Sequence, residues 1–409
     1  MEAETLGFIR EMFRRFYTEH MEEVKPPSMM ELREFGFLEF GEKMMVRHKG
    51  FRKPEELRMF IAQHVPAHVY YSSAYYRDPE AEMELKGWLG ADLVFDIDAD
   101  HIPTTCKEEH DRWMCRECGA SGKGMAPDRC PRCGGAVEAE TWFCEVCLEA
   151  AKEETIKLLD ILVQDFGLSY GELSVCFSGH RGYHVHVEDE ALRELGREER
   201  REIVDYVRGQ GIEVELHGLL ERPNLTAPGW RGRLTRGLYE VLSRYGPEEL
   251  RALGLRPRVV KALTEGRSSI LRRIEDGVPL TTTPGVGRTS WTKLAAEAAR
   301  VRGALVDTVV TADVHRLIRL PSTLHGKTAL KVAEVPVRGL EGFDPLREAV
   351  AFKGGSVKVF VERALSFRVG ETVYGPYEGR VVELPLQPAL LLMCKGVARL
   401  VEAGEVWQA

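Results

Sequence analysis

Asparagine is almost missing from this chain. Of 409 residues only Asn224 is asparagine and five are glutamine. Glu, Arg and Lys are plentiful, a bias that matches thermophile composition, where deamidating side chains are avoided and ion-pair networks favoured. No run of about 18 uncharged apolar residues exists, which excludes a membrane-spanning helix. The start, Met1-Glu2-Ala3-Glu4, is acidic and lacks the basic residues and apolar stretch of a secretory signal. No G-x-x-x-x-G-K-[ST] segment or kinase glycine loop occurs, which sets aside the common NTPase and kinase routes. Positive charge is also in deficit. At a formal −8, the chain is not one that coats nucleic acid over its whole surface. A local basic stretch remains: Arg251, Arg256, Arg258, Lys261, Arg267, Arg272 and Arg273, with Glu265 the one acid among them. It suits a phosphate track or a solvated helix face equally.

What the chain does have is clustered thiols. Seven of nine cysteines, with one histidine, fall between Cys106 and Cys147 as four pairs: Cys106 with His110, Cys115 with Cys118, Cys130 with Cys133, Cys144 with Cys147. A C-x-x-C knuckle brings two sulfurs to one tetrahedral ion, so eight ligands make two closed zinc sites. Closed sites hold structure and leave chemistry to other residues. Thiols in this pattern, without a signal peptide, indicate metal binding in a reducing cytoplasm. Cys176 and Cys394 lie in apolar stretches and read as buried and inert.

Periodicity gives a mixed α/β (α+β) chain. Leu6, Ile9, Phe13 and Phe16 predict an N-terminal helix, with Pro26-Pro27 ending it. Strands are expected within 33–46, up to Asp98, over 172–177 and 183–187, and from about 304 to 369. A helix is expected over 149–167, and a further one over 387–403. Residues 190–300 are charged, helix-rich and broken by Pro and Gly, as an inserted helical subdomain is.

Three polar clusters bear on chemistry. In Leu93-Val94-Phe95-Asp96-Ile97-Asp98, the two aspartates share one face of a strand. Two carboxylates roughly 6 Å apart repel by about 3 kcal/mol at an effective dielectric of about 20, and a hard divalent cation offsets that cost. A solvated, frayed strand end is the alternative for such a pair taken alone. The second cluster is Ser178-Gly179-His180-Arg181-Gly182-Tyr183-His184-Val185-His186. Its glycines permit a sharp turn that offers N–H groups to an anion, and Arg181 can fork onto phosphate; a hairpin with two surface histidines fits it as well. The third runs from Asp307 and Asp313 through Arg316, Arg319, His325 and Lys327, a set of cations suited to polyphosphate or to a charged surface loop. Together they make the inventory of two-metal phosphoryl or nucleotidyl transfer.

In order and content these segments resemble the small catalytic subunit of archaeal and eukaryotic DNA primase, and the archaeal branch fits best. The likeness rests on Phe95-Asp96-Ile97-Asp98, the zinc knuckle, Ser178-Gly179-x-Arg181-Gly182-x-His184, and Leu317-Ile318-Arg319-Leu320-Pro321 with Leu324-His325-Gly326-Lys327-Thr328. It runs from about Arg33 to the C-terminus. It implies a primase-type core of mixed sheets flanked by helices. It further implies that Asp96, Asp98 and Asp307 bind two Mg²⁺ or Mn²⁺ ions, Asp307 being preferred over Asp313 by its distance ahead of Pro321. Ser178, Arg181, His184, Arg319 and His325 hold the incoming triphosphate, with Glu34 and Arg47 as weaker nucleotide contacts. Where the family has one knuckle, Cys106, His110, Cys144 and Cys147 here look like that knuckle split by an inserted zinc ribbon with Cys115, Cys118, Cys130 and Cys133; a knuckle using Cys115 and Cys118 is the other pairing. Ala329 stands where glycine commonly follows Lys-Thr.

The expected organisation is a catalytic core in three parts, 1–105, 148–190 and 301–409, with the zinc segment 106–147 (ribbon 115–133) and the helical subdomain 191–300. The resemblance implies de novo primer synthesis on single-stranded DNA from NTPs or dNTPs, a large subunit with an iron–sulfur domain as partner, and no membrane. The rival readings are another metal-dependent primase-polymerase or phosphodiesterase, and a non-catalytic zinc-stabilised scaffold for nucleic acid.

Overall fold

Two antiparallel four-stranded sheets form the heart of the molecule. The computed structural model describes residues 2–213 and 217–403. The first sheet runs in the order Leu317–Arg319, His68–Ser72, Phe35–Leu38, Val46–Lys49. The second runs Ala333–Val335, Leu173–Phe177, Gly182–Val187, Leu93–Asp98. Alternation sets what each strand buries. Phe35 and Phe37 pack on Phe51 and Phe60, with ring centroids 5.3 and 4.5 Å apart. In the second sheet Phe95, Ile97, Tyr183, Val185 and Val187 are buried. The fold is α+β, with small antiparallel sheets flanked by helices.

The N-terminal helix, Ala3–Glu19, buries Ile9, Met12, Phe13, Phe16 and Tyr17. It stops well before Pro26-Pro27, and a 3₁₀ turn, Met21–Glu23, with no buried residue follows it. No residue from Thr18 to Glu23 is buried, so no packing holds a further helical turn.

Two expectations change toward the C-terminus. Strand was expected from about 304, but Thr308–Ala312 is a short helix, because the Asp307 carboxylate caps it and accepts from the N–H groups of Val309 and Val310 at 2.8 and 3.3 Å. The tail expected to be helical over 387–403 is helix only over Leu386–Cys394. Gly396 then turns with φ +78°, and Ala398–Glu402 joins Ser356–Ala364 and Tyr377–Pro385 in a third sheet. Lys395-Gly396 is a helix stop of the glycine type.

The chain divides into two units. One comprises Met1–Glu153, Gly171–Arg197 and Asp307–Ala409; the other comprises Glu154–Tyr170 and Glu198–Val306. The second unit is helical, with Gly229–Arg244 and Arg288–Arg302 packed about Trp230, Leu234, Leu238, Trp291 and Leu294. Gly237 fits there because a Cβ would come within 2.5 Å of the Ala298 carbonyl oxygen. Within the first unit, Arg112–Cys115, Ser121–Lys123 and Val137–Glu140 form a separate three-stranded sheet. Among the described residues no helix is long and apolar enough to cross a membrane.

Candidate active site

The Leu93–Asp98 strand pairs with Gly182–Val187 so that His184 lies opposite Asp96 and Gly182 opposite Asp98. Strand alternation therefore gathers Asp96, Asp98 and His184 on one face. His184 Nε2 stands 3.5 Å from Asp96 Oδ1. Gly182 is required by that closeness, since a Cβ would meet the Ile97 carbonyl oxygen at 2.3 Å. Asp307 reaches the same place from elsewhere in the sequence: its N–H donates to the Asp96 carbonyl at 2.9 Å. Burial, then the nearby Asp98 and Asp307, push the Asp96 carboxyl up to about 7. Burial also raises Asp98, against the opposing pull of Arg181.

The first sheet supplies the facing wall. Arg319 pairs in register with Tyr70, lies over the Tyr70 ring at 4.9 Å, and has its Nη1 2.7 Å from His68 Nδ1. A cleft of about 180 Å³ opens between the walls, lined by Asp96, Asp98 and His184 on one side and by Tyr70, Arg316 and Arg319 on the other, with Ser178, His180 and His325 at its end. The His180 and His325 rings stack 5.1 Å apart, and His325 meets His68 edge-on at 4.7 Å. Gly179, with φ +78°, permits this, because a Cβ would sit 2.7 Å from that of His325. Burial first, and then nearby cations, hold His180 and His325 well below the usual imidazole range; burial, then His186 and the arginines, do the same to His184. These rings are neutral near pH 7. Among the described residues, His184 Nδ1 and Arg316 Nε are buried without a hydrogen-bond partner.

The residues expected from the sequence thus separate. Asp96, Asp98, Ser178, His184, Arg319 and His325 line the cleft; Asp307 adjoins it through the Asp96 carbonyl, its carboxylate turned to the N–H groups of Val309 and Val310. Arg181 does not line it. Its side chain is fully buried, paired with Asp100, and its Nη1 donates to the Trp142 carbonyl at 2.7 Å and lies 3.4 Å from Asp111 Oδ1. Burial pulls Arg181 down to about 10. Glu34 and Arg47 bind each other at 2.9 and 3.2 Å, with Lys86 3.6 Å from Glu34, and neither lines the cleft. His68, Tyr70 and Lys107 were not singled out. The buried Lys107 ammonium binds the carbonyls of Asp100 and Ile102 at 3.1 and 2.7 Å and so fixes the turn after Asp98. A charged residue next to Cys106, inside a metal-ligand pattern, carries no sequence signal for such a task.

The thiols resolve into two groups, Cys106, His110, Cys144, Cys147 and Cys115, Cys118, Cys130, Cys133, the ligand atoms within each lying within 4.8 Å of one another. Sulfur separations are 3.6 Å for Cys106–Cys147, 3.5 Å for Cys115–Cys133 and 3.7 Å for Cys118–Cys130. Four ligands about 2.3 Å from a tetrahedral zinc stand roughly 3.8 Å apart, so both groups have the spacing of a metal site. His110 Nδ1 is 2.7 Å from Asp111 Oδ1, which leaves Nε2, 3.6 Å from Cys147 Sγ, for the ion. The inserted segment leaves the core at Asp111 and returns at Trp142, whose N–H donates to Asp111 Oδ1 at 2.9 Å.

The family described as DNA primase small subunit matches residues 127–337. DNA primase small subunit PriS of Cenarchaeum symbiosum is 34% identical over 406 residues, covering 97% of this chain and 99% of its own. The protein of the same name from Methanothrix thermoacetophila is 34% identical over 431 residues with the same coverage, and that from Archaeoglobus fulgidus 35% over 400 residues, covering 96% of this chain and 97% of its own. A solved polymerase domain of Mycobacterium tuberculosis ligase D in complex with DNA covers 82% of this chain and 83% of its own at a TM-score of 0.31 and 12% identity, too distant to bear on the fold. This chain belongs to the DNA primase small subunit family.

Proposed function

We propose that this chain is the catalytic subunit of a DNA primase, joining NTPs or dNTPs into a short primer de novo on single-stranded DNA. The observation that carries this reading is the division of charge across the cleft: carboxylates of Asp96 and Asp98 on one wall, Arg316 and Arg319 on the other. A metal-bound triphosphate needs both walls at once.

Asp96 and Asp98, with Asp307 beside them, would supply an all-oxygen donor set suited to Mg²⁺ or Mn²⁺. A carboxyl pushed up to about 7 by burial and like charge fits such a cation. The chemistry supplied by two bound ions is acidity at the attacking 3′-hydroxyl and charge neutralisation at the departing pyrophosphate. The chain's own residues do the positioning. Arg319, locked by His68 and Tyr70, and Arg316, with its free Nε, hold phosphate oxygens. Ser178 and the neutral His184 and His325 donate to the same group without adding charge. Arg181 serves the nucleotide indirectly, by bracing the Asp98–Asp100 turn from behind. Glu34 and Arg47 support the sheet, the Glu34 N–H donating to Ser72 Oγ at 3.0 Å. Both thiol groups take Zn²⁺. The reading implies a large subunit as partner and a cytoplasmic, reducing setting.

The test is synthesis on single-stranded DNA by the purified chain, with its large subunit where needed, labelled nucleotides and Mn²⁺, beside Asp96→Ala. Product from the parent alone supports the reading. Equal product from the variant sinks the metal-site assignment, and no product from either leaves a nucleic-acid-binding scaffold as the better account.

A further inference from the structure

An acidic chain here carries one strongly basic segment. Residues 217–306 hold 16 arginines and lysines against eight aspartates and glutamates, a net +8, in a chain whose total is −8, so the remainder carries −16. These residues supply the helices of the second unit from Gly229 to Arg302, wrapped about a core of Trp230, Leu234, Leu238, Leu263 and Trp291.

Part of the positive charge is used internally. Arg233 is buried against Asp160 and Asp165. Arg244 and Arg302 pair with Glu240, and Arg300 pairs with Glu297. Arg267 and Arg273 bind backbone carbonyls. Arg251, Arg256 and Arg258 are exposed, and among the described residues they form no ion pair. They share one corner. Pro247–Ala252 and Pro257–Glu265 are successive helices joined through Gly254, and the exposed Lys293 reaches the Gly254 carbonyl at 2.6 Å, which adds a fourth cation. Pro257–Glu265 buries Val259, Val260 and Leu263, so Arg258 and Lys261, three apart, both lie on its open side.

Lys261 pairs with Glu265 at 3.7 Å between two exposed side chains, but the three arginines have no such partner among the described residues, and like charges gathered in this way are costly unless an anion visits them. The geometry points to this corner, Arg251, Arg256, Arg258, Lys261 and Lys293, as a binding surface for the phosphate backbone of single-stranded nucleic acid. A folded acidic protein is the poorer fit. Protein interfaces centre on apolar and aromatic side chains, whereas Val278 is the one large hydrophobic exposed among the described residues of this segment. Arginine forks match phosphate oxygens two at a time and need no apolar contact. The surface gives an acidic enzyme a place to hold template without altering its cleft.

This inference is independent of the nucleotidyl-transfer reading, because backbone binding needs neither metal nor nucleotide. The experiment compares the full chain with the triple variant Arg251→Gln/Arg256→Gln/Arg258→Gln, titrating each against a labelled oligo-dT at several KCl concentrations, with EDTA present. Thermal unfolding checks that the exposed substitutions leave the fold intact. Loss of three contacts should weaken binding and reduce the slope of log affinity against log salt by about 2, at about 0.7 per phosphate on a single strand. The same affinity and slope in both proteins overturns the proposal. So does binding of a polyglutamate probe, but not of oligo-dT, through these three arginines.

Discussion

His110 and Asp111 are chain neighbours, and the imidazole Nδ1 stands 2.7 Å from the Asp111 carboxylate. The same oxygen accepts from the Trp142 N–H at 2.9 Å and faces Arg181 Nη1 at 3.4 Å. Arg181 then pairs with Asp100, whose N–H donates to Asp98 Oδ1 at 2.8 Å. One carboxylate thus links the imidazole of the Cys106 group to the turn that carries an acid of the cleft.

Asp111→Asn should therefore act in two places. Loss of an outer partner to a ligating histidine weakens metal retention by about 10–100-fold, so zinc should leave the Cys106 group faster on challenge with a chelator while the Cys115 group keeps its ion. Primer synthesis should fall as well, because Arg181 loses an anionic neighbour. Stoichiometric zinc release followed over time reads the first effect; unchanged release and unchanged synthesis together would show Asp111 to be a spectator.

Asp96 and Asp307 should part company in stability while agreeing in activity. Asp96→Asn removes a buried charge that burial, Asp98 and Asp307 all disfavour, so the melting temperature should hold or rise. Asp307→Ala deletes the cap of the Thr308–Ala312 helix, a loss worth about 1 kcal/mol, and the melting temperature should drop. Both variants should be inactive in primer synthesis. Parallel melting curves for the two would contradict the assignment of Asp307 as cap.

Lys395 makes the fold's alkaline response predictable. Its ammonium lies 5.4 Å from the centre of the Trp142 ring, and burial, with Arg181 next in weight, pulls it down to about 8. The unfolded value is about 10.4. Between these two values the unfolded chain binds more protons than the folded one, so stability should rise with pH across that window. Against Lys395→Met, the parent should gain melting temperature from about pH 8 to 10 and run parallel to the variant below about pH 8. A constant difference over the whole range would refute the buried placement.

Much of the cleft was legible because it follows from period-two alternation. Asp96 and Asp98 two apart on a strand must share a face, and the histidine two places after Gly182 lands opposite Asp96 once the strands pair. The four ligand pairs were legible from spacing, but the split knuckle followed from the resemblance with a second pairing open, and it is the ligand atoms of Cys106, His110, Cys144 and Cys147 that gather. The burial of Arg181 was not, because its partners Asp100, Asp111 and Trp142 lie far away in sequence and nothing local forecasts a desolvated guanidinium. His68 and Tyr70 belong to no motif; their place is set by register with Leu317–Arg319. Thr308–Ala312 reads as strand from its β-branched residues, and a single capping aspartate overrides that preference. Ala329 adopts φ +56°, a conformation glycine takes without penalty, which explains why that position stood out.

The segment between Asp111 and Trp142 contains 30 residues, yet its two ends touch through a single hydrogen bond and its first and last strands pair directly, Arg112 opposite Glu140. An excursion closed at its base imposes no length requirement on what lies beneath it. Such an appendage can be lengthened, trimmed or exchanged while the strands that carry Asp96 and Asp98 stay where they are.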